Sequence, residues 1–232
     1  MQRILIKMSG EALGGVDGRG IEASLVSQLG DQIKVLRETG IQIGIVVGGG
    51  NIFRGVQGKS KGMDPVMSDF MGMLATVINA VGLAELFRAS GIPSVVTTPF
   101  ALGQYVELYN AAKAREYLQE GKVVVFAGGT GNPFVTTDSA GALRAAEIGA
   151  ELLIKATKVN GVYDGDPVKS PNARLYSEIS FAQVISQGLS VMDAGAIALC
   201  QQRGIPIRVL NIFEKNSIVD LVNGKSIGTL IH

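Results

Sequence analysis

Seven short, apolar, β-rich runs recur along this chain, and helical patterns lie between most of them. The runs are Arg3 to Met8, Ile41 to Val47, Ser94 to Thr98, Lys122 to Ala127, Glu151 to Ala156, Ile205 to Ile212 and Gly228 to Ile231. The helical patterns cover Ile21 to Glu38, Val66 to Ala89, Asn110 to Gln119, Ser139 to Ile148, Ala194 to Arg203 and Asn216 to Val222. Strand alternating with helix predicts an α/β sandwich around a mostly parallel sheet. The strands are apolar throughout, as in Ile43-Gly44-Ile45-Val46-Val47, because helices on both sides leave a parallel strand no wet face. No repeat or linker divides the chain, so a single domain over residues 1–232 is expected.

Glycine is the second constraint. It makes up 31 of 232 residues, roughly 13% against a usual ~7%, and it clusters instead of spreading as linker. The clusters are Gly10 to Gly20, Gly48-Gly49-Gly50 and Gly128-Gly129-Thr130-Gly131, each after an apolar run. Glycine at a strand tip lets backbone N–H groups approach a ligand, and phosphate suits them.

Several chemistries are removed by scarcity. One cysteine, Cys200, excludes an internal disulfide and a multi-cysteine metal site, and the one histidine is His232 at the end. Histidine-based triads and zinc sites therefore lack their ligands. A net charge of +1 provides no global field for nucleic acid or an anionic membrane. No apolar run approaches the roughly 18 residues of a membrane span, and Lys7 interrupts the N-terminal one, so no signal peptide is read there and a reducing cytoplasm is expected.

Four segments carry the chemistry. In Ile6-Lys7-Met8-Ser9-Gly10-Glu11 a lysine closes a buried run; it either pairs with an anion such as phosphate or snorkels at the strand end. Val47-Gly48-Gly49-Gly50-Asn51-Ile52-Phe53-Arg54 joins bare N–H donors to a guanidinium suited to phosphate, or forms a plain turn. Gly128 through Ser139 leads from a strand into a helix expected to open at Ala140, where anions are welcome. Asp138 there is a candidate N-cap, or a carboxylate that orients a lysine or meets Mg²⁺. Lys155 through Asp166 offers Tyr163 to stack on a base and Thr157 or Asp166 to bond ring edges or ribose, or is a solvated turn. Walker A spacing fails, because Phe53 stands where Gly58-Lys59-Ser60 requires glycine, and G-x-G-x-x-G fails at Phe53 and Phe134.

The longest helical pattern begins well, with Asp64 as N-cap and Pro65 at the first position. Its apolar residues, among them Met67, Met71, Leu74, Ile78 and Phe87, exceed one stripe. Such a helix is buried deep in the core or covered by another subunit.

Together these segments resemble the bacterial uridylate (UMP) kinases of the amino-acid-kinase superfamily. The resemblance runs from Lys7-Met8-Ser9-Gly10-Glu11-Ala12-Leu13, through Gly48 to Gly55, Met71-Gly72-Met73-Leu74-Ala75-Thr76, Gly128 to Ser139 and Ala156-Thr157-Lys158-Val159, to Gly228-Thr229-Leu230-Ile231. It implies the three-layer α/β/α amino-acid-kinase fold and transfer of the ATP γ-phosphoryl group to UMP in pyrimidine nucleotide synthesis, with Mg²⁺ held mainly by nucleotide phosphates. It also implies a homohexamer built from dimers, activated by GTP and inhibited by UTP; the near-neutral charge leaves no membrane or nucleic-acid partner expected.

By motif, the resemblance makes Lys7 and Asp138 catalytic. It assigns Lys7, Met8, Ser9, Gly10, Gly50, Arg54, Thr157, Asn160, Tyr163 and Asp166 to ATP. UMP falls to Gly49, Asp69, Thr130, Gly131, Asn132, Pro133, Phe134, Val135, Thr136 and Thr137, and GTP to Gly15, Val16, Asp17, Gly18, Arg19 and Gly20. Asn160 and Phe70 depart from the family pattern, which favours aspartate and a polar residue there. Competing expectations are a small-acid acceptor on the same fold, or a nucleotide sensor without catalysis; Lys7 and Asp138 oppose the second.

Overall fold

Alternation along the first strand, β1 (Arg3–Met8), sets the layers. Ile4, Ile6 and Met8 enter one buried cluster, while Leu5 enters the opposite one, as the two-residue period of a strand requires. Lys7 therefore faces the second layer. The remaining strands are β2 (Gln42–Val47), β3 (Ser94–Thr98), β4 (Glu107–Leu108), β5 (Val123–Phe126), β6 (Leu152–Thr157), β7 (Glu178–Ile179), β8 (Ile207–Asn211) and β9 (Thr229–Ile231). They form one sheet in the order β4-β3-β5-β2-β1-β6-β8-β9-β7, parallel at every neighbouring pair except β8–β9. The computed structural model describes residues 1–15, 18–55, 58, 62–165, 170, 172–189 and 191–232.

On the Ile4 face lie α2 (Ala23–Glu38), α3 (Pro65–Ala89) and α8 (Ser217–Val222). They contribute Leu29, Ile33, Leu83, Phe87 and Ile218 to that core. On the Leu5 face lie α4 (Ala111–Gln119), α5 (Thr137–Ile148), α6 (Phe181–Ser186) and α7 (Ala194–Arg203), with Leu118, Ala145, Val184 and Cys200 buried. A short α1 (Gly10–Leu13) follows β1 directly. The mostly parallel α/β/α arrangement expected from the sequence is present. All seven runs and all six helical patterns appear with small shifts at their ends; β4, β7, α1 and α6 were not expected.

Helix α3 starts as predicted, with the Asp64 side chain accepting the Met67 N–H at 3.0 Å and Pro65 in the first turn. It corrects one expectation, because by length and composition alone it could cross a membrane, at a mean hydropathy of 1.7. In this fold its inner edge packs on the sheet, with Ala80, Leu83, Ala84 and Phe87 buried, while Met67, Met71 and Ile78 are exposed.

Candidate active site

Strand tips converge at the carboxyl ends of β1, β2, β5 and β6, the place where open α/β sheets bind ligands. Order β2-β1-β6 puts chain connections on opposite sides of β1 and opens a crevice there. Lys7 is in register with Val46 on β2 and with Lys155 on β6. Neighbouring strands lie about 4.8 Å apart, so the two lysines stand side by side. Both are largely removed from water, with side-chain exposures of 10% and 17%.

Two buried ammonium groups repel unless an anion lies between them. Asp138 is that anion. Its Oδ1 lies 2.6 Å from Lys7 Nζ and its Oδ2 3.1 Å from Lys155 Nζ. Lys155 also donates to the Val191 carbonyl. Burial holds the Lys155 pKa below the ordinary lysine value; Asp138 opposes this shift and Lys7 adds to it. Room for the Lys7 stem comes from Gly141 in α5, where a Cβ would stand 3.2 Å from Lys7 Cγ.

The N-terminus of α5 corrects the sequence expectation. The helix opens at Thr137 rather than Ala140, and the cap is Thr136 rather than Asp138. The Thr136 hydroxyl accepts the N–H groups of Asp138 at 3.1 Å and Ser139 at 3.2 Å. With the capping role filled, the Asp138 carboxylate is left for the lysines. Thr136 in turn donates to Asp193 Oδ2, and Ser139 Oγ donates to Asp193 Oδ1 at 2.9 Å. Asp193 also caps α7 by accepting the Ala196 N–H at 2.9 Å. Burial pushes its carboxyl upward, but hydrogen bonds from Thr136, Ala196 and Ser139 outweigh burial and hold it below the usual value.

The first two glycine segments touch. A Cβ at Gly10 would stand 2.7 Å from Gly50 N and 2.9 Å from Gly48 O. Ser9 caps α1 through its hydroxyl, which accepts the Ala12 N–H at 3.2 Å, while Met8 is buried in the Ile4-face core. Arg54 pairs with Glu11, both about half exposed at 52% and 45%.

A cleft of about 480 Å³ opens beside these tips. It gathers Gly49, Gly50, Arg54, Asp69, Asn132, Phe134, Val135, Thr136 and Thr137 on one wall or another. Thr130, Gly131 and Pro133 belong to the same loop without bordering it. Gly128 opens this loop at φ +70, a left-handed conformation that favours glycine. Phe134 is also left-handed at φ +65 and is 68% exposed; its N–H donates to Asp69 Oδ2 at 2.9 Å.

Thr157, Asn160 and Tyr163 follow the tip of β6 and do not border that cleft. The Thr157 hydroxyl lies 2.6 Å from the Val159 carbonyl, and Asn211 Nδ2 donates to Asn160 Oδ1 at 3.1 Å. Tyr163 bridges to Leu175. Val16, Asp17 and Asp166 lie outside the described residues. Gly15 and Arg19 border a second cleft of about 440 Å³ with Lys158 and Phe213, whereas Gly18 and Gly20 do not line it.

Lys155, Asp193, Gly141 and Glu11 were not among the predicted functional residues. Lys155 carries the same signal as Lys7, a lysine ending the apolar run Leu152-Leu153-Ile154. Asp193 shows only as a cap before the Ala194 helix.

A model of the amino acid kinase family matches residues 2–211. The chain belongs to the amino acid kinase family. Within the family it groups with the uridylate kinases. A uridylate kinase of Methylococcus capsulatus is 48% identical over 230 residues, covering 99% of this chain and 96% of its own. A crystal structure of UMP kinase from Ureaplasma parvum superposes with a TM-score of 0.92 at 37% identity, covering 99% of this chain and 98% of its own. The crystal structure of UMP kinase from Bacillus anthracis gives 0.95 at 33% identity, covering 100% and 96%. This family member is an ATP-dependent kinase with the amino-acid-kinase fold.

Proposed function

We propose that the chain acts as one domain that transfers the γ-phosphoryl group of ATP to UMP, giving ADP and UDP for pyrimidine nucleotide synthesis. The observation that carries this is the Lys7–Asp138–Lys155 row, set where glycine tips meet beside a cleft holding Asp69 and the Asn132–Thr137 loop. A phosphate oxygen of UMP attacks the γ-phosphorus in line, the bond to the β–γ bridging oxygen breaks, and ADP leaves with that electron pair. The attacking oxygen is already anionic, so no general base is required, in keeping with a chain whose one histidine is terminal. Catalysis is then positioning and neutralisation of charge spreading over the transferring oxygens.

In this proposal Lys7, Met8, Ser9, Gly10, Gly50 and Arg54 meet the ATP phosphates, and Thr157, Asn160, Tyr163 and Asp166 the adenosine. Gly49, Asp69 and Thr130 through Thr137 take UMP. Lys7 supplies positive charge on the transfer path, and Asp138 keeps its ammonium aimed there. Mg²⁺ would neutralise donor phosphate charge. Among the described residues no cluster of three or more His, Cys, Asp or Glu is built to hold a cation, and Asp138 is engaged by two lysines. With its carboxylate taken by the lysines, Asp138 serves to orient Lys7, and these residues fit a metal carried by nucleotide phosphates.

We extend the proposal to GTP activation through Gly15 to Gly20, UTP inhibition, a cytoplasmic location and a homohexamer built from dimers. The GTP assignment is supported by the second cleft, which Gly15 and Arg19 border with the cation of Lys158. Exposed Met67, Met71 and Ile78 on α3 support subunit contact, since bare apolar surface of this kind is commonly covered.

The test is ADP release with ATP and Mg²⁺ over UMP, CMP, dUMP and TMP, with and without GTP. UMP is expected to give the highest kcat/KM, raised by GTP. No turnover of UMP would reject the acceptor.

A further inference from the structure

Helix α3 contributes more to the site than packing. Gly72, Ala75, Thr76 and Asn79 share one stripe of the helix, at the spacing that places residues three and four apart on one face. Thr76 and Asn79 are polar and buried there, Asn79 completely. Burying such groups is unfavourable unless each finds partners, and both find them in glycine turns.

The Thr76 hydroxyl accepts the Gly128 N–H at 2.7 Å and donates to the Met73 carbonyl at 2.7 Å. Asn79 Nδ2 donates to the Gly48 carbonyl at 2.7 Å and to Asn51 Oδ1 at 2.7 Å. Asn51 Nδ2 returns a hydrogen bond to Asn79 Oδ1 at 2.9 Å and donates to the Gly20 carbonyl. The Gly49 backbone lies against the same stripe, so closely that a Cβ would stand 2.8 Å from both Ala75 Cβ and the Gly72 carbonyl. Backbone bonds curl each turn, Gly131 N–H to the Gly128 carbonyl at 3.0 Å and Phe53 N–H to the Gly49 carbonyl at 2.9 Å. With no side chains of their own, the glycines are held in place from outside, the Gly128 turn by Thr76 and the Gly48 turn by Asn79.

We infer that Thr76 and Asn79 are positioning residues for phosphoryl transfer. Thr76 fixes the Gly128–Gly129 turn, Asn79 fixes the Gly48–Gly50 turn, and the rigid helix sets the distance between them. This rests on the proposed kinase reaction, in which both turns serve the nucleotides. Through the Asn51–Asn79 amide pair, the Gly20 end of the effector loop is joined to the same frame.

The test compares Thr76→Val, Thr76→Ser and Asn79→Leu with the unaltered full chain. Steady-state kinetics for UMP and ATP is paired with hydrogen exchange of peptides covering Gly128 and Gly48. Thr76→Val keeps the shape and loses the hydroxyl. Its kcat/KM for UMP is expected to fall on the order of 10-fold or more, since a 1 Å misplacement costs about 10²-fold. Exchange at Gly128 should accelerate, and Thr76→Ser should restore both. Asn79→Leu should raise KM for the nucleotides, with faster exchange at the Gly48 peptide. A merely structural role would reduce the active fraction and leave KM unchanged. Wild-type kinetics in Thr76→Val with unchanged Gly128 exchange would overturn the inference, as would equal damage from Thr76→Ser. If the unaltered chain fails to phosphorylate UMP, the acceptor assignment falls, and the exchange comparison still decides whether these side chains hold the turns.

Discussion

A row of three charges and a single ion pair flank the same crevice and differ in their access to water. Asp138 binds Lys7 and Lys155 at the sheet, with side-chain exposures of 16%, 10% and 17%. Glu11 binds Arg54 at the rim, where both are about half exposed. A buried charge cannot be deprived of its partner without a large penalty, whereas an exposed pair contributes about 0–1 kcal/mol. The buried row is thus a fixed part of the fold. In the proposed reaction it also presents positive charge to the nucleotides, and the looser rim pair lets Arg54 exchange Glu11 for phosphate.

Removing Lys7 should have the largest effect on rate. Lys7→Ala is expected to lower kcat on the order of 10²-fold or more, by analogy with other charge-stabilising groups. It should still fold, because Asp138 retains Lys155; a near-normal kcat would take Lys7 out of the mechanism. Asp138→Ala should have the largest effect on stability. It strands two ammonium groups, and urea unfolding should report a loss of about 3–5 kcal/mol, the range for a broken buried pair. An unchanged midpoint would mean that water reaches the lysines freely and the contrast with the rim is false.

The pH dependence of stability sharpens the same contrast. The Lys155 pKa is lowered in the folded state from 10.5, so between its folded pKa and 10.5 the unfolded chain binds more protons. Stability contributed there is present above 10.5 and is lost as pH falls through the folded value. Denaturant midpoints of wild type and Lys155→Met should therefore converge or cross in favour of wild type as pH rises into that window; parallel curves would contradict a depressed pKa. At the rim, Arg54→Ala should raise KM for nucleotide and leave the unfolding midpoint unchanged. Glu11→Gln should have the smallest effect, lowering that KM by no more than a few-fold, since it removes only a competing anion from Arg54. A large stability loss from Glu11→Gln would mean that the rim pair is structural after all.

Much of this arrangement was legible before any coordinates. Lys7 announced itself as a cation in a run that had to be buried, and Asp138 as a carboxylate behind a glycine loop. The elements missed were short: β4 and β7 have two residues each, α1 four and α6 six. None is long enough to establish a period. Capping by Thr136 rather than Asp138 was not legible, because both residue types serve as caps and only the backbone of Thr136, extended at φ −82 and ψ 167, selects it. Thr76 and Asn79 stood in an apolar helical pattern with nothing to mark which edge faced inward.

The sequence alone determined the α/β alternation, the glycine tips and the presence of a buried cation. Each follows from local physics: which side chains leave water, and where a backbone without Cβ is required. Tertiary structure decided which groups meet. Lys7 and Lys155 become neighbours only through the register of β1 against β6, and Asp138 reaches both because α5 packs against the Lys7 stem, where Gly141 leaves room. Contacts between residues so far apart in the chain are set by the packing of whole elements, and no local preference of any one residue encodes them.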